Sequence, residues 1–573
     1  MDRKGVVIAT NDIGTIVIRA PIIKMYEEIR IPGEHGFLRG EIVEINQDHG
    51  TAQMFDGVGG IRIGAEAQLT GHPLIAEAAP TLGLMVTGLG SSIKGLSTKY
   101  LRAGEFKDPF EGLEVDFTPA IKTGTIASPG TVLGHVSNNG YNYTISVPSH
   151  IHGQITYIAP AGKINVREAA AKVQNSTNIH NIDLISRHPV RQPRPVRKWS
   201  RAQTPLLTGR RTLDAPFTLI QGGKFMVMGD AGTGKTWFTQ AMAKFTQVDC
   251  VIVVQCGERS GESTEVIVTY TETGLMHRTD MVINTSAMSP AARGQSVRYG
   301  LALAEAYRDM GLNVLVIADS LSRQGQGDRE SWGALGKMPG KQSFPVDLAS
   351  VLALTYERGG IAETLSGQTK SITIVTAVSP DGGDIEGDAI GQLASQYTDG
   401  CIVLSKEIAN RGFFPAVAFT AGTSATKTRN PIDLPVLQKF YTDNNCPRFL
   451  ELSTQVTALV SAAEGPLKRQ LETVGPRRMS SEDYRNKLLG DMFREIFFNQ
   501  MGSEHDQNTP LSRMNLMLEF CGQLIEKFPI LADKDQSAQL AQKITSQAYG
   551  VLLLEKEQEA EAAYQRIIGD NFV

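Results

Sequence analysis

An eight-residue glycine-rich stretch carries the most specific chemistry in the sequence. It satisfies the pattern G-x-x-x-x-G-K-[ST], and its residues are Gly229, Asp230, Ala231, Gly232, Thr233, Gly234, Lys235 and Thr236. In such a loop, backbone N–H groups and the positive end of a helix dipole surround a polyphosphate. Lys235 can reach the β- and γ-phosphate oxygens, and the Thr236 hydroxyl is placed to bind Mg²⁺. The stretch predicts a nucleotide site.

The elements on both sides of the loop agree with this interpretation. Residues 224–228 are an apolar run that predicts a short buried strand, and residues 237–244 predict the first turns of a helix. Strand, glycine loop and helix are the elements that a phosphate-binding loop needs. Their agreement disfavours the alternative of a glycine-rich turn that matches the pattern by chance.

Two acidic residues follow other predicted strands. Glu258 and Arg259 come after the apolar run 251–255, and Asp319 directly follows the run 313–318. Ligands of open α/β sheets bind outside the carboxyl ends of the strands. A carboxylate at Glu258 can orient a water for in-line attack on a phosphate, and Asp319 can hold Mg²⁺ through water. Arg259 can hold phosphate or pair with a nearby glutamate, and the sequence leaves both uses open.

Two aromatic residues late in the same region, Phe414 and Phe419, are candidates for the wall of an adenine pocket. The alternative, which the sequence favours, is that both rings belong to the hydrophobic core.

Composition excludes several classes of protein. A formal net charge of −4 gives no general bias towards nucleic acid or an anionic membrane surface. The five cysteines form no C-x-x-C pair, which favours free thiols in a reducing compartment. The first residues contain no apolar core typical of a signal peptide, and no run of 18 apolar residues occurs. We therefore expect any role at a membrane to be exercised through partners.

At 573 residues the chain is too long for one core, and its pattern changes several times along its length. The fold class that it predicts is multidomain α/β. The predicted segments are a β-barrel at 1–72, a connection at 73–110, a barrel-sandwich-like β domain at 111–185, a phosphate-loop α/β domain at 186–435 and a helical domain at 436–573.

Two of these segments have alternative interpretations. The spacing of strands and Gly turns in 111–185 is typical of lipoyl and biotinyl carrier domains, but the hairpin tip at 138–142 has no lysine to modify. A structural insert is favoured. The basic, proline-rich stretch 187–198 is either a strap between domains or a nucleic-acid contact, and it lacks the interleaved aromatics that stack on bases.

The residues as a whole resemble the catalytic A-type chain of V/A-type rotary ATPases, over nearly the whole sequence. Besides the glycine-rich loop, the matching stretches include 190–195, 207–209, 257–259, 264–266, 318–320, 338–340 and 377–380. The order of barrel, inserted region, nucleotide domain and helical C-terminus also matches. One departure is Asp230-Ala231, where the family usually has Pro-Phe. An acid beside the phosphates is expected to weaken anion binding unless it is paired or solvated.

The resemblance implies ATP or ADP as the nucleotide and ATP hydrolysis or synthesis coupled to transport of protons or Na⁺. It further implies a ring of three such chains alternating with three B-type subunits, with central-stalk and peripheral-stalk partners. An arginine from the neighbouring B-type chain would complete each site. The complex would lie on the cytoplasmic face of a membrane and bind no nucleic acid.

Two other functions remain as alternatives. One is a RecA-like hexameric translocase or helicase, which would need a strand-binding groove that neither the charge nor the insert suggests. The other is a non-catalytic nucleotide-binding ring component, and the presence of Lys235, Glu258 and Asp319 argues against it.

Overall fold

The computed structural model describes residues 3–11, 14–94, 102–201, 204–336, 338–380, 387–419, 434–501 and 504–572. The chain divides into two compact units. Unit 1 comprises Met1–Arg201 and Val248–Ala377, and unit 2 comprises Ala202–Gln247 and Val378–Val573.

In chain order the strands are β1 (Arg3–Thr10), β2 (Thr15–Arg19), β3 (Glu28–Pro32), β4 (Phe37–Asn46), β5 (His49–Met54), β6 (Glu66–Leu69), β7 (Ile75–Ala78), β8 (Met85–Val86), β9 (Glu114–Pro119), β10 (Ile126–Ala127), β11 (Val132–Asn138), β12 (Tyr141–Ser146), β13 (Gly153–Ile158), β14 (Gly162–Asn165), β15 (Ala171–Gln174), β16 (Ile179–Ile182), β17 (Ser186–Pro189), β18 (Lys198–Ser200), β19 (Lys224–Gly229), β20 (Cys250–Glu258), β21 (Thr279–Thr285), β22 (Val314–Asp319), β23 (Gly360–Glu363), β24 (Thr369–Val378) and β25 (Gly400–Leu404).

The α-helices are α1 (Arg211–Asp214), α2 (Lys235–Phe245), α3 (Ser260–Glu272), α4 (Pro290–Asp309), α5 (Leu321–Ala334), α6 (Leu348–Glu357), α7 (Ala389–Ala394), α8 (Lys406–Asn410), α9 (Leu434–Asp443), α10 (Phe449–Glu464), α11 (Pro466–Val474), α12 (Ser481–Phe493), α13 (Glu504–Gln507), α14 (Leu511–Lys527), α15 (Lys534–Leu552) and α16 (Glu557–Asn571). A π-helical turn, Arg494–Phe498, follows α12.

Unit 1 begins with the predicted barrel, which closes in the order β1-β2-β5-β4-β3-β6, with β6 paired to β1. Alternating residues such as Ile16, Ile18, Ile29 and Ile31 point into its core. Closure removes exposed strand edges.

The inserted domain consists of two four-stranded sheets, β10-β13-β15-β16 and β12-β11-β9-β14. Its predicted hairpin tip joins β11 to β12 through Asn139 and Gly140, both with positive φ (50° and 81°). That geometry belongs to a tight two-residue turn, for which Asn-Gly is the preferred pair. The predicted fold class, barrel and barrel-sandwich domain included, is confirmed.

The basic stretch after the insert lies against the rest of unit 1. Arg187 pairs with Asp183 and Glu77, Arg191 pairs with Glu41, and Arg197 lies 3.6 Å from Glu363. The prolines hold this stretch in extended form between β17 and β18. Three of its arginines thus pair with acids of the same unit, which supports the interpretation as a strap.

The main sheet of unit 1 runs in the order β18-β23-β24-β22-β20-β21-β8. Its central strands β24, β22, β20 and β21 are parallel. Their residues are buried almost throughout, as expected for a parallel sheet covered on both faces. The connection 73–110 contributes β8, which pairs in parallel with β21.

Unit 2 contains the parallel pair β19 and β25 and the C-terminal helices α9 to α16. The sequence pattern predicts one helix over 537–568, and this prediction is wrong. Two helices, α15 and α16, occupy the range, since α16 turns back to bury its own apolar stripe. The Tyr564 ring of α16 stacks on the Phe520 ring of α14, and the two ring centres lie 4.4 Å apart. None of the helices in the described ranges combines the length and apolar character needed to cross a bilayer.

A buried carboxyl group, Asp280 on β21, ties the connection to the sheet. Its Oδ1 accepts the N–H groups of Gly83 and Leu84, each at 2.9 Å. The Tyr307 hydroxyl lies 2.5 Å from its Oδ2 and 2.8 Å from the Thr81 carbonyl oxygen. Tyr307 has one proton to donate, so protonated Asp280 can complete the network. Burial raises the pKa of Asp280 to about 7.

We expect this carboxyl group to make thermal stability fall as pH rises. The folded-state pKa lies above the ordinary value of 3.8, so the folded chain binds the extra proton and loses this stabilisation as pH rises through about 7. Between pH 5.5 and 8.5 the loss should be about 2 kcal/mol. Asp280→Asn, whose amide can donate permanently to Tyr307, should melt at a higher temperature than the parent at pH 8.5 but not at pH 5.5. Equal pH dependence in both proteins would contradict this.

Candidate active site

In unit 2 the glycine-rich loop joins β19 to α2 as predicted. Gly232 and Gly234 have φ of 81° and 82°, a region that favours glycine. Gly234 directly precedes Lys235, the first residue of α2. The hydroxyl of the buried Thr233 donates to the Asp230 carbonyl oxygen at 2.8 Å, which closes the loop on itself. The backbone N–H groups of the first helical turn can therefore face an anion.

Two further residues meet this loop. The Lys235 ammonium group donates to the hydroxyl of Ser379, and the Phe414 ring packs on Gly234, where an added Cβ would lie 3.1 Å from it. The sequence pattern did not single out Ser379. The available signal is its position just after β24, within the stretch 377–380 that supports the family resemblance.

The unusual acid of the loop, Asp230, has partners in the same unit. Its Oδ1 accepts the Ala231 N–H at 2.7 Å, and its Oδ2 lies 3.9 Å from the Lys406 ammonium group. Lys406 begins α8, directly after β25, and Gly229 pairs with Leu404 across β19 and β25. Neighbouring parallel strands therefore bring the two charges to the same edge. The sequence alone did not indicate Lys406.

In unit 1 the two predicted carboxylates come from adjacent strands. Glu258 is the last residue of β20 and Asp319 the last of β22, with Gln255 opposite Asp319 in the parallel register. Asp319 is 8% exposed, and Ser320 after it caps α5 by accepting the Arg323 N–H at 3.4 Å. The backbone carbonyl of Glu258 accepts the Ser286 N–H at 2.9 Å. Both acids thus lie at the carboxyl edge of the sheet.

The end of β20 is shaped by Gly257, which has a φ of 74° and lies at a β-bulge. A Cβ at this position would lie 2.9 Å from the Arg323 Cβ and 3.3 Å from the Arg293 Cδ. Glycine is therefore what allows α5 to approach the strand that carries Glu258. Arg259, which follows Glu258, is exposed and is the N-terminal cap residue that precedes α3.

The cysteine beside these residues, Cys256, is fully buried and donates its thiol to the Arg293 carbonyl oxygen at 3.3 Å. Burial raises the pKa of this thiol to about 12. It therefore stays protonated at neutral pH and is not a nucleophile. The sequence favours a plain buried thiol over a role in oxidation, and the burial of Cys256 agrees with a structural role.

The two aromatic candidates differ in their packing. Phe419 is 4% exposed. Its ring centre lies 4.5 Å from that of Phe498, 6.2 Å from that of Phe217 and 4.7 Å from the guanidinium carbon of Arg494. Phe414 is half-buried against the glycine loop. This packing favours a core role for Phe419 and leaves Phe414 as the better candidate for contact with a base.

The residues of the candidate site thus fall into two sets. Unit 2 brings together the glycine loop, Ser379, Lys406 and Phe414, and unit 1 brings together Glu258 and Asp319. A phosphate-binding loop at a helix start, with acids at the ends of neighbouring parallel strands, defines the class of phosphate-loop nucleotide-binding proteins.

Comparison with known proteins narrows this class. Family models match residues 10–71 (ATP synthase alpha/beta family, beta-barrel domain), 113–191 (ATP synthase alpha/beta subunit barrel-sandwich domain) and 209–424 (ATP synthase alpha/beta family, nucleotide-binding domain). The catalytic A-type chain of the V-type proton ATPase from Candida albicans is 34% identical over 570 residues, covering 95% of this chain and 89% of that protein.

Two further relatives indicate the same family. They are the corresponding catalytic chain of the V-type proton ATPase from Eremothecium gossypii (34% identity, 88% of this chain and 82% of that protein) and the V-type ATP synthase alpha chain 2 of Clostridium tetani (32%, 87% and 86%). The chain belongs to the family of catalytic A-type chains of V-type ATPases.

The contacts of Asp230 generate a prediction about nucleotide affinity. In the complex assembled with its partner subunits, Asp230→Asn should lower KM for MgATP about two- to fivefold, because one negative charge next to the phosphates is lost. Lys406→Met should raise KM by a similar factor, and both effects should shrink in about 0.5 M salt. Asp443→Asn, which removes the acid of another exposed pair with Lys439, is the matched control. An unchanged KM in both site variants would contradict the prediction.

The conformation of Gly257 generates a second prediction. Gly257→Ala should destabilise the strand end by about 1–3 kcal/mol, because it adds both a strained φ and a contact with Arg323. We expect turnover of the assembled complex to fall at least tenfold, measured as ATP hydrolysis. The control is Gly261→Ala in α3, where an added Cβ meets no atom within 4 Å. Equal turnover in the two variants would show that the close approach does not position Glu258.

Proposed function

We propose that this chain is the catalytic component of a V-type rotary ATPase, which hydrolyses or synthesises ATP and couples that reaction to ion transport across a membrane. The observation that carries the proposal is the complete glycine loop at the start of α2, in a chain that also ends two adjacent parallel strands with Glu258 and Asp319. Family membership supports ATP or ADP as the nucleotide.

Each site residue has a proposed role that follows from its chemistry. The backbone of residues 229–236 and the ammonium group of Lys235 bind the phosphates. Glu258 accepts a proton from, and orients, the water that attacks the terminal phosphate in line. Arg259 is exposed and charged, and we assign it to the substrate phosphate. Phe414 borders the base, whereas Phe419 belongs to the core.

Oxygen donors of the kind that Mg²⁺ prefers are present. Thr236 presents its hydroxyl in the first turn of α2, and Asp319 a carboxylate at the end of β22. We propose that Thr236 binds the ion directly and that Asp319 does so through water. When bound, Mg²⁺ neutralises charge on the phosphate oxygens. Lys235 and Thr236, consecutive residues at one helix start, then hold the phosphates and the metal in a fixed relation.

Family membership supports a proposal about the wider assembly. We propose a ring of three such chains alternating with three B-type subunits, whose neighbouring arginine stabilises the transition state. Central-stalk and peripheral-stalk subunits would connect the ring to a membrane sector, with the ring on the cytoplasmic face. The names of the two fungal relatives favour protons over Na⁺ as the transported ion. We also propose the domain boundaries 1–72, 73–110, 111–185, 186–435 and 436–573. The family matches to 10–71, 113–191 and 209–424 support a division into barrel, barrel-sandwich and nucleotide-binding domains.

Replacement of Glu258 tests the chemistry directly. In the assembled complex, Glu258→Gln should reduce ATP turnover at least about 100-fold, because the amide cannot accept the proton of the attacking water. Binding of MgADP, measured by equilibrium titration, should change by less than threefold. The matched control is Glu262→Gln, an exposed acid one turn further along in α3, which should keep full turnover. Unchanged turnover in the Glu258 variant would refute the proposed mechanism.

A further inference from the structure

A fully buried arginine of unit 2, Arg210, makes no side-chain hydrogen bond within the described part of the chain. Arg210 is 0% exposed, and in the described part of the chain none of its three guanidinium nitrogens has a hydrogen-bond partner. The nearby acids Asp214 and Asp506 are engaged elsewhere. Asp214 accepts hydrogen bonds from the Thr208 hydroxyl and the Gly209 N–H, and Asp506 pairs with Arg211 at 2.7 Å. The surroundings of this cation are aromatic instead.

Two rings of α2 form these surroundings. The guanidinium carbon lies 4.5 Å from the centre of the Trp237 ring and 5.6 Å from that of Phe245. Both distances are within the range of cation–π attraction, which is strongest when water is excluded. Trp237 and Phe245 are eight residues apart, about two turns, and so lie on the same side of the helix. Contact at both points fixes the rotation of α2 about its axis.

Burial lowers the pKa of Arg210 to about 10, with a smaller contribution from the neighbouring charge of Arg211. The side chain therefore remains a cation at neutral pH, and the cation–π contacts persist under working conditions.

The next residue, Arg211, is anchored to the C-terminal helical segment. It donates to Asp506, Thr509 and the Asn499 carbonyl oxygen, each at 2.7 Å, and also to the Phe497 carbonyl oxygen. Its backbone N–H donates to Gln500 at 2.7 Å. Arg211 thus binds the C-terminal segment, and the preceding residue, Arg210, packs against α2.

We propose that Arg210 is a positioning residue for ATP hydrolysis, which holds the first turn of α2, with Lys235 and Thr236, in register with the C-terminal helices through its contacts with Trp237 and Phe245. This inference rests on the proposed roles of Lys235 and Thr236. Arg210 itself touches no phosphate in this scheme. Its effect on nucleotide binding passes through Trp237, the residue that directly follows Thr236.

The test uses Arg210→Met in the assembled complex, because methionine fills similar space without a charge. We expect kcat/KM for MgATP to fall about tenfold. The midpoint of thermal unfolding should stay equal or rise, since replacing a buried charge by an apolar side chain is often neutral or stabilising. Arg210→Lys should recover part of the activity. Trp237→Phe should cause a smaller loss, since phenylalanine is the weaker cation–π partner.

A spectroscopic measurement separates positioning from mere packing. With Trp199→Phe and Trp332→Phe, Trp237 is the only tryptophan of this chain. Its fluorescence change on titrating the isolated chain with MgADP should be at least halved by Arg210→Met. A variant with parental kcat/KM, or one that loses activity only in proportion to a lowered unfolding midpoint with the Trp237 response intact, would overturn the inference. The Glu258→Gln result distinguishes this from failure of the proposed function, because that variant must lose turnover whichever way Arg210 behaves.

Discussion

The chemistry of this chain depends on the burial of parallel strands. Strands β20 and β22 are covered on both faces, so nearly every side chain along them must be apolar or fully satisfied. The first positions at which a carboxylate can meet a ligand are the strand ends, and Glu258 and Asp319 occupy those positions. The same constraint holds for β19, which ends at Gly229, where the glycine loop begins. Sheet topology therefore sets where the reactive groups lie.

This dependence explains why so much of the fold and the candidate site could be predicted from sequence. An apolar run that ends in a glycine loop or an acid is a local pattern, which can be recognised without knowing how the strands pair. The loop, Glu258 and Asp319 were found in this way. Most of the barrel and the inserted domain were found from alternation and turn residues.

What could not be predicted depends on contacts between distant parts of the chain. Lys406 approaches Asp230 only because β19 and β25 pair, and nothing in either stretch specifies that pairing. Helical periodicity alone extended one helix across the break between α15 and α16, because periodicity does not show that Tyr564 of α16 stacks on Phe520 of α14. The packing of Phe419 against Phe498 and Arg494 is equally non-local, and sequence left that residue between two interpretations.

Buried charge is the remaining feature that sequence did not reveal, and the two consecutive arginines show why a fold retains it. A buried ion pair is seldom worth more than well-packed apolar residues, so its energy alone does not explain it. Arg211 satisfies its donors with carbonyl and carboxylate oxygens whose directions are fixed, which specifies one arrangement of the C-terminal segment. Arg210 contacts only the ring faces of Trp237 and Phe245, and these contacts specify the orientation of α2. Both side chains define geometry more than they add stability, and geometry is what in-line phosphoryl transfer requires, because a small misplacement of the phosphate-binding groups is enough to lower the rate severalfold.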